Sequence, residues 1–235
     1  MIKKKFNIIA FIPAKKNSQG LKKKNLKKIN NLSLFELAIL GAKKSKFIDK
    51  IYLSSDSDEI LKEARKYKIN LIKRKKSLSK NFSSANAVIL DFIKNYLKND
   101  TKNNIILYLQ PTSPFRNSVH IDQAINIFLK KKMRSLLSVV ENKNFFKSLC
   151  QNKKTLRPFF SNTLITKNRQ NLKKIYSPNG AIYIFYANDF MKKKELTFIK
   201  SGYYIMNKAE SVDIDDKEDY DLAKYLSKKY LKIKK

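Results

Sequence analysis

The sequence predicts an α/β fold of three layers (αβα), in which helices cover both faces of a mainly parallel sheet. Short apolar runs of strand length alternate with segments of helical periodicity along most of the chain, as they do around parallel sheets. The first run, residues 6–12, is rich in β-branched and aromatic side chains and stops at Pro13, which is typical of a buried parallel strand. Hydrophobic residues make up 43% of the 235 residues, so one domain of ordinary size can bury its own core.

Helices and strands follow one another through the first half of the chain. The segment 33–36 (Ser-Leu-Phe-Glu) is a capping-box pattern, which predicts the start of a helix that continues to about Lys46. Apolar side chains recur at i, i+1 and i+4 over residues 85–97 and predict a second strong helix there. The other predicted elements of this half are strands at 50–55, 69–72 and 105–110 and a helix at 58–67.

The alternation continues with a helix at 119–129 and a strand at 135–140 and then breaks at about 141–175. This segment is polar and irregular, yet it carries aromatic residues such as Phe145 and Phe160. Such side chains need burial, and a second subunit can provide it, so we interpret 141–175 as an insertion and dimerisation arm within a single domain of residues 1–235. The core resumes with strands at 180–185 and 203–206 and ends with a helix at 218–230.

The net charge of +33 permits two interpretations. Such a charge can mark a nucleic-acid-binding protein, because basic side chains neutralise phosphates. However, only six of the 52 basic residues are Arg, which leaves 46 Lys, and the lysines are spread along the whole chain. Lys, Asn and Ile share A/T-rich codons, so a compositional bias of the genome explains the excess better. We therefore expect no specific nucleic-acid partner.

Cysteine usage, hydropathy and glycine spacing exclude several classes of protein. Cys150 is the only cysteine, which excludes a disulfide framework and a cysteine-based zinc site and fits a reducing, cytoplasmic location. No apolar stretch approaches the ~18–20 residues that span a bilayer, so we expect no membrane partner. The four glycines (20, 41, 180 and 202) form neither a G-x-G-x-x-G fingerprint nor a Walker A loop.

The loop after the first strand is basic, with Lys15, Lys16 and Lys22–Lys24 close together. In α/β sheets, ligands bind outside the carboxyl ends of the strands, so these ammonium groups are placed to meet a triphosphate. Gly20 can supply a tight turn that lets backbone N–H groups face an anion. The alternative is a solvated lysine-rich turn in a lysine-rich protein.

Two further polar segments are candidates for the same edge. If the backbone around Ile214 is extended, Asp213 and Asp215 share one face, and two carboxylates beside a polyphosphate commonly hold Mg²⁺. The alternative is a pair of carboxylates at the start of the final helix. Gln110 opens the loop Gln-Pro-Thr-Ser-Pro-Phe-Arg, and its amide suits a base or a hydroxyl-rich ligand, although a simple tight turn also explains the loop. His120, the only histidine, is interpreted as a capping or packing residue.

Five segments in this order resemble one family. They are 12–26 (IPAKKNSQGLKKKNL), 51–60 (IYLSSDSDEI), 109–116 (LQPTSPFR), 178–184 (PNGAIYI) and 211–223 (SVDIDDKEDYDLA). Together they resemble the acylneuraminate cytidylyltransferases, the CMP-sialic acid synthetases, over essentially the whole chain. The resemblance implies a Rossmann-like nucleotidyltransferase sheet, a homodimer and a reaction in which CTP and a nine-carbon 2-keto acid sugar give the CMP-sugar and pyrophosphate.

The resemblance also implies roles for individual residues, with Mg²⁺ as the cofactor. The residues expected to be catalytic are Lys24, Asp213 and Asp215, and the two aspartates are also the expected metal ligands. The residues expected to bind the nucleotide are Lys15, Ser18, Gly20, Lys24, Asn25, Arg74 and Ser84. The residues expected to bind the sugar are Gln110 and Asn179.

The sequence departs from this family at three positions. The family usually has Arg where this chain has Lys15, so the charge is kept but the planar fork is lost. Many members have Lys at the position of Gln19 and a basic residue at the position of Ser177. The candidates to hold the sugar carboxylate instead are Arg157, Arg169, Lys173 and Lys174.

Overall fold

The computed structural model describes residues 6–18, 20–80, 83–97, 101–196 and 200–231. Its strands are β1 (Asn7–Pro13), β2 (Lys28–Ile29), β3 (Leu32–Ser33), β4 (Lys50–Ser55), β5 (Asn70–Lys73), β6 (Asn104–Tyr108), β7 (Ser135–Glu141), β8 (Leu149–Asn152), β9 (Thr155–Pro158), β10 (Tyr176–Tyr186) and β11 (Gly202–Ile205). Its α-helices are α1 (Leu34–Lys43), α2 (Asp58–Ala64), α3 (Ala85–Tyr96), α4 (Ser118–Lys130), α5 (Asn162–Thr166), α6 (Ala187–Lys193) and α7 (Lys217–Tyr230).

Seven of the described strands form the central sheet, in the order β11-β7-β10-β6-β1-β4-β5. β1 pairs in parallel with β4 and β6, and β5 extends this parallel run beyond β4. β10 lies antiparallel to both β6 and β7, while β11 pairs in parallel with β7. The expectation of a mainly parallel sheet is therefore confirmed.

Helices cover both faces of this sheet, as the alternation in the sequence predicts. α1 and α4 pack on one face, where Phe35 and Phe128 are fully buried. α3 and α6 pack on the other face through Ile89 and Phe190. α7 lies against the start of α1, where Ile214 belongs to a third, smaller apolar cluster. The three-layer αβα arrangement is confirmed.

β10 departs furthest from its predicted bounds, because it begins at Tyr176 and not at residue 180. Its first three residues pair with β7, and the register shifts between Pro178 and Tyr183. The residues at 177–179 (Ser-Pro-Asn) are typical of a loop, which is why the sequence suggests a later start. Pairing with the neighbouring strand outweighs this local preference.

Residues 142–175 leave the central sheet between β7 and β10 and form the β8–β9 hairpin and α5. The rings of Phe145, Phe146, Phe159 and Phe160 contact one another in this segment, with centroids 4.9 to 5.9 Å apart. Phe159 nevertheless remains 63% exposed. The segment therefore gathers its aromatic residues without burying them within the described chain.

Among the described helices, none is both long and apolar enough to cross a membrane.

Phe92 supports the face of the sheet covered by α3. Its ring is fully buried and stacks on Phe11 of β1 at a centroid distance of 4.2 Å. We predict that Phe92→Ala lowers the free energy of unfolding by about 3–5 kcal/mol, because it removes a buried ring and leaves a cavity. Lys94→Ala on the same helix is the matched control, since Lys94 is exposed and its loss costs less than about 0.5 kcal/mol. Urea unfolding curves measure both, and equal losses for the two variants would contradict this account.

Candidate functional site

A cavity of about 450 Å³ lies at the carboxyl ends of the parallel strands β1 and β6. It is enclosed by the loop after β1, the end of β5, the residues before α3, the loop after β6 and the segment 213–215. The sequence-predicted residues that line it are Lys15, Ser18, Gly20, Lys24, Asn25, Arg74, Gln110, Asp213 and Asp215. The topology thus brings nine of the eleven expected site residues into one cavity.

The first loop is closed by its own side chains. Pro13 ends β1, and Lys24 and Asn25 lie in a 3₁₀ turn that follows Lys23 in the left-handed conformation (φ 52°). Asn25 is buried, and its amide nitrogen donates to the carbonyl oxygen of Lys15 at 2.8 Å. This bond joins the two ends of the loop and holds Lys15 at the cavity.

Lys24 ties this loop to the far end of the chain. The side chain is buried, and its ammonium group donates to the carbonyl oxygen of Ile214 at 2.6 Å and to Oδ1 of Asp215 at 2.8 Å. A buried ammonium needs such partners, because removing a charge from water is costly unless it is paired. The bond to the backbone fixes the Asp213–Asp215 segment against the first loop.

Asp213 and Asp215 have different surroundings. Burial raises the pKa of Asp213, a hydrogen bond from Thr112 opposes that shift, and the charge of Asp215 adds to it. Oδ1 of Asp213 is buried without a hydrogen-bond partner among the described residues, whereas the side chain of Asp215 is 77% exposed. The pair therefore offers one inward and one outward carboxylate.

The two aspartates do not cap the final helix, which was the alternative interpretation. Asp216 is the N-cap of α7, and its side chain accepts from the backbone N–H of Asp219 at 2.9 Å. Asp213 and Asp215 are therefore left as candidate metal ligands. The described residues contain no group of three or more His, Cys, Asp or Glu side chains that could hold a metal ion. A divalent ion here would take its other ligands from water and from a bound ligand, which Mg²⁺ accepts readily.

Two glycines allow the cavity walls to approach each other. A Cβ at Gly20 would lie 2.2 Å from the carbonyl oxygen of Asp215, so the first loop packs directly on that backbone. Gly180 has φ +76°, and a Cβ there would lie 2.8 Å from Oε1 of Gln110 and 2.9 Å from Oδ2 of Asp213. The side chains of Gln110 and Asp213 therefore meet over Gly180.

Arg74 lies at the side of the cavity formed by β5 and α3. Its guanidinium is buried and donates to Oγ of Ser54 at 3.1 Å and to the Ser54 carbonyl oxygen at 2.8 Å. Burial lowers the pKa of Arg74, and the nearby Tyr108 and Asp56 oppose that shift in part. With Val88 beside it, Arg74 forms a wall that is apolar with one cationic group.

Two expected site residues do not line the cavity. Ser84 is the N-cap of α3, and its hydroxyl accepts from the backbone N–H of Ala87 at 3.2 Å. Asn179 is buried, and its Oδ1 accepts from the hydroxyl of Ser138 at 2.6 Å while its amide nitrogen donates to Ser211 at 2.9 Å. Both side chains are engaged with the protein, so the structure gives them a local structural role.

Of the three positions at which the sequence departs from the family, Lys15 lines the cavity. Gln19 lies outside the described residues. Ser177 accepts from the amide of Asn142 at 3.1 Å, and Arg157 is on β9 of the 142–175 segment. Ser177 and Arg157 therefore do not line the cavity.

Tyr108, Thr112 and Lys80 also line the cavity, although the sequence did not identify them as site residues. Burial raises the pKa of Tyr108 to about 12, and a hydrogen bond with Gln110 opposes that shift. The position of Tyr108 near the carboxyl end of the strand predicted at 105–110 was the available signal for this residue. Lys80 carries no such signal, because it is one of 46 lysines spread along the chain.

His120 serves α4 and lies outside the cavity, as the capping interpretation predicts. Its Nδ1 accepts from the backbone N–H of Asn117 at 3.3 Å, and its Nε2 lies 3.5 Å from the carboxylate of Glu210. Burial lowers the pKa of His120, while Glu210 opposes that shift.

Comparison with known proteins adds to this geometry. The family model described as cytidylyltransferase matches residues 9–235. An N-acylneuraminate cytidylyltransferase of Escherichia coli is 32% identical over 225 residues, which are 92% of this chain and 51% of that protein. The post-translational flagellin modification protein B of Campylobacter coli is 30% identical over 94% of this chain and 95% of its own length. The chain thus spans about half the length of the first relative and nearly all of the second.

Other similar proteins extend the comparison. A CMP-N,N'-diacetyllegionaminic acid synthase of Campylobacter jejuni is 29% identical over 93% of this chain and 94% of its own length. A solved CMP:2-keto-3-deoxy-manno-octonic acid synthetase, complexed with CTP, superposes with a TM-score of 0.68 at 10% identity, covering 94% of this chain and 98% of that one. A 4-diphosphocytidyl-2C-methyl-D-erythritol synthase from Anaerococcus prevotii gives 0.65 at 14% identity, covering 95% and 97%. At these identities the two structures establish a shared fold.

Gly180 provides a test of the cavity geometry. We predict that Gly180→Ala costs about 1–2 kcal/mol of unfolding free energy, because an L-residue is strained at positive φ. The added methyl group also forces Gln110 and Asp213 apart. Urea unfolding measures the first effect, and a crystal structure of the variant measures the second. An unchanged unfolding curve, with both side chains in place, would contradict the assigned backbone conformation.

Proposed function

The chain belongs to the cytidylyltransferase family, and on that premise we propose that it transfers CMP from CTP to a sialic-acid-like nonulosonic acid. The acceptor class is N-acetylneuraminate, legionaminate or pseudaminate, and pyrophosphate is the second product. The names of the relatives from E. coli and C. jejuni support this acceptor class. The observation that carries the proposal is the cavity in which the basic first loop meets Gln110 and the Asp213–Asp215 pair.

The two ends of the cavity suit the two ends of CTP. Arg74, Tyr108 and Val88 form a partly apolar wall with a guanidinium, which suits a pyrimidine ring and its polar edge. Lys15 and Ser18, in the first loop, suit the triphosphate, because an ammonium and a hydroxyl both donate to phosphate oxygens. Ser84 contributes to this end as the N-cap of α3 and not by contact with the cavity.

The reaction needs alignment and charge neutralisation more than a covalent intermediate. The anomeric hydroxyl oxygen of the acid forms a bond to the α-phosphorus of CTP, while the bond from that phosphorus to the pyrophosphate oxygen breaks. Lys24 holds a fixed positive charge beside the Asp213–Asp215 segment, where it can offset the charge that develops on the phosphate. Gln110, next to Asp213 over Gly180, offers an amide to the acceptor.

Mg²⁺ is the cofactor that this reaction class and the donor set favour. Asp213 and Asp215 would hold it, since Oδ1 of Asp213 has no hydrogen-bond partner among the described residues and Asp215 is exposed. When bound, the ion supplies charge neutralisation for the phosphates. The bond of 2.8 Å from the Lys24 ammonium orients the Asp215 carboxylate.

The 142–175 segment supports the proposal that the protein is a homodimer. Its four contacting phenylalanines and the exposed Leu156 (66%) form an apolar surface that a second copy can cover. A cytoplasmic location is also part of the proposal, and it is motivated by the single cysteine.

The activity is tested by a pyrophosphate-release assay with CTP, Mg²⁺ and a panel of nonulosonic acids. We predict turnover with at least one of the three named acids and a loss of nearly all rate in Asp215→Asn, because an amide is a poorer Mg²⁺ ligand. Asp221→Asn is the matched control, since Asp221 is an exposed aspartate of α7 that pairs with Lys217 outside the cavity. A folded protein that turns over none of the acids would overturn the proposal, and full activity of Asp215→Asn at saturating Mg²⁺ would overturn the metal assignment.

The dimer is tested by light scattering after gel filtration. We predict that the wild-type protein has twice the chain mass and that Phe159→Ser combined with Leu156→Ser shifts it to the monomer, because the change removes apolar surface from the interface. Val119→Ser, which changes a 57% exposed residue of α4, should leave the dimer intact. A monomeric wild type, or a dimer that survives the double change, would refute the proposed interface.

A further inference from the structure

Arg116 is a buried cation to which the proposed reaction assigns no role. Its side chain is 3% exposed, and no carboxylate of the described residues forms an ion pair with it. Burial lowers its pKa to about 10, so the guanidinium remains protonated at neutral pH. Its Nε is buried without a hydrogen-bond partner among the described residues. Burying a cation without a paired carboxylate costs free energy, so the two hydrogen bonds that Arg116 does make point to a role in the site.

Those bonds join two segments that carry the site. Nη1 of Arg116 donates to the carbonyl oxygen of Gln110 at 2.8 Å and to that of Ala181 at 3.0 Å. Gln110 follows β6, whereas Ala181 lies within β10. One nitrogen therefore bridges the strand end that presents Gln110 and the strand that presents Gly180.

The bridged residues flank the point where the cavity walls meet. Oε1 of Gln110 and Oδ2 of Asp213 lie 2.8 and 2.9 Å from the Cβ position of Gly180. A shift of a few tenths of an ångström between β6 and β10 would therefore change the separation of these two side chains. The backbone of Arg116 also packs closely on α1, because a Cβ at Gly41 would lie 3.1 Å from the Arg116 carbonyl oxygen.

We propose that Arg116 is a positioning residue for the acceptor half of the site, which clamps Gln110 to the Gly180–Ala181 backbone and so sets the spacing between Gln110 and Asp213. This inference rests on the proposed function, because one of its tests is the KM for the acid. The nucleotide half depends on other bonds, since Lys24 is held by Ile214 and Arg74 by Ser54. Loss of the clamp therefore weakens the acceptor more than CTP.

The test compares Arg116→Lys and Arg116→Met with Glu36→Gln. Glu36 is the matched control because it is also a buried charged side chain, bonded to Ser33 and Tyr67 away from the cavity. The measurements are the KM for the acid, the Kd for CTP by calorimetry, and hydrogen–deuterium exchange of the segments 109–113 and 178–182. Lysine keeps a charge and a donor without the planar fork, so Arg116→Lys should recover part of what Arg116→Met loses.

We expect Arg116→Met to raise the KM for the acid by about tenfold or more, since two carbonyl groups lose a charged donor, and Arg116→Lys to raise it less. The Kd for CTP should change by less than about threefold, and faster exchange should be confined to the two segments. Glu36→Gln should change neither the KM nor the exchange of these segments. Equal weakening of CTP and acid, or an unchanged KM in both Arg116 variants, would overturn the inference.

The inference and the proposed function can fail separately. If the wild type turns over no acid, the proposed function fails, and exchange at 109–113 and 178–182 still decides whether Arg116 is the clamp. Exchange in Arg116→Lys and Arg116→Met that equals the wild type would then reject the clamp as well. If Arg116→Met does not fold, Arg116→Lys supplies the same comparisons.

Discussion

The site depends on one interaction between distant parts of the chain, the bond of the buried Lys24 ammonium to the carbonyl oxygen of Ile214. It joins residues separated by 190 positions and places the first loop against the segment that carries the two aspartates. Gly20 completes this contact, because only a residue without a Cβ can approach the Asp215 carbonyl so closely. The cavity lies at the carboxyl ends of the sheet strands, and the bond between Lys24 and Ile214 brings its two walls together there.

Burial separates the functional cations from the many basic residues of the surface. The chain carries a net charge of +33, yet Lys24, Arg74 and Arg116 are the buried Lys and Arg residues of the described chain. Two of them line the cavity, and the third bonds the backbone behind it. Taking three cations out of water is unfavourable by itself, so an anionic ligand at this edge would offset part of that cost. The many exposed lysines therefore do not identify a ligand, whereas the three buried cations favour an anionic one.

The sequence predicted the fold well because both of its signals are local. Alternating apolar runs and helical periodicity identified the sheet and its covering helices, and the capping box at Ser33 and Glu36 is present in α1. The site was predicted less completely. Lys15, Ser18 and Gln110 line the cavity as expected, but the exposed Ser84 caps α3 and the buried Asn179 bonds to Ser138, and a motif alone does not separate these roles from contact with a ligand. The clamp by Arg116 was not visible for the same reason, since charge in a sequence gives no indication of burial.

The most direct test of this account is the affinity of the protein for CTP, UTP, ATP and GTP, measured by calorimetry with Mg²⁺ at low and high salt. A cavity walled by Arg74 and Tyr108 should bind CTP at least about tenfold more tightly than the other three, which corresponds to ~1.4 kcal/mol. That preference should persist at high salt, because buried charges are screened much less than exposed ones. Equal affinities for all four nucleotides that fall in parallel as salt rises would contradict the account, and would attribute binding to the lysine-rich surface.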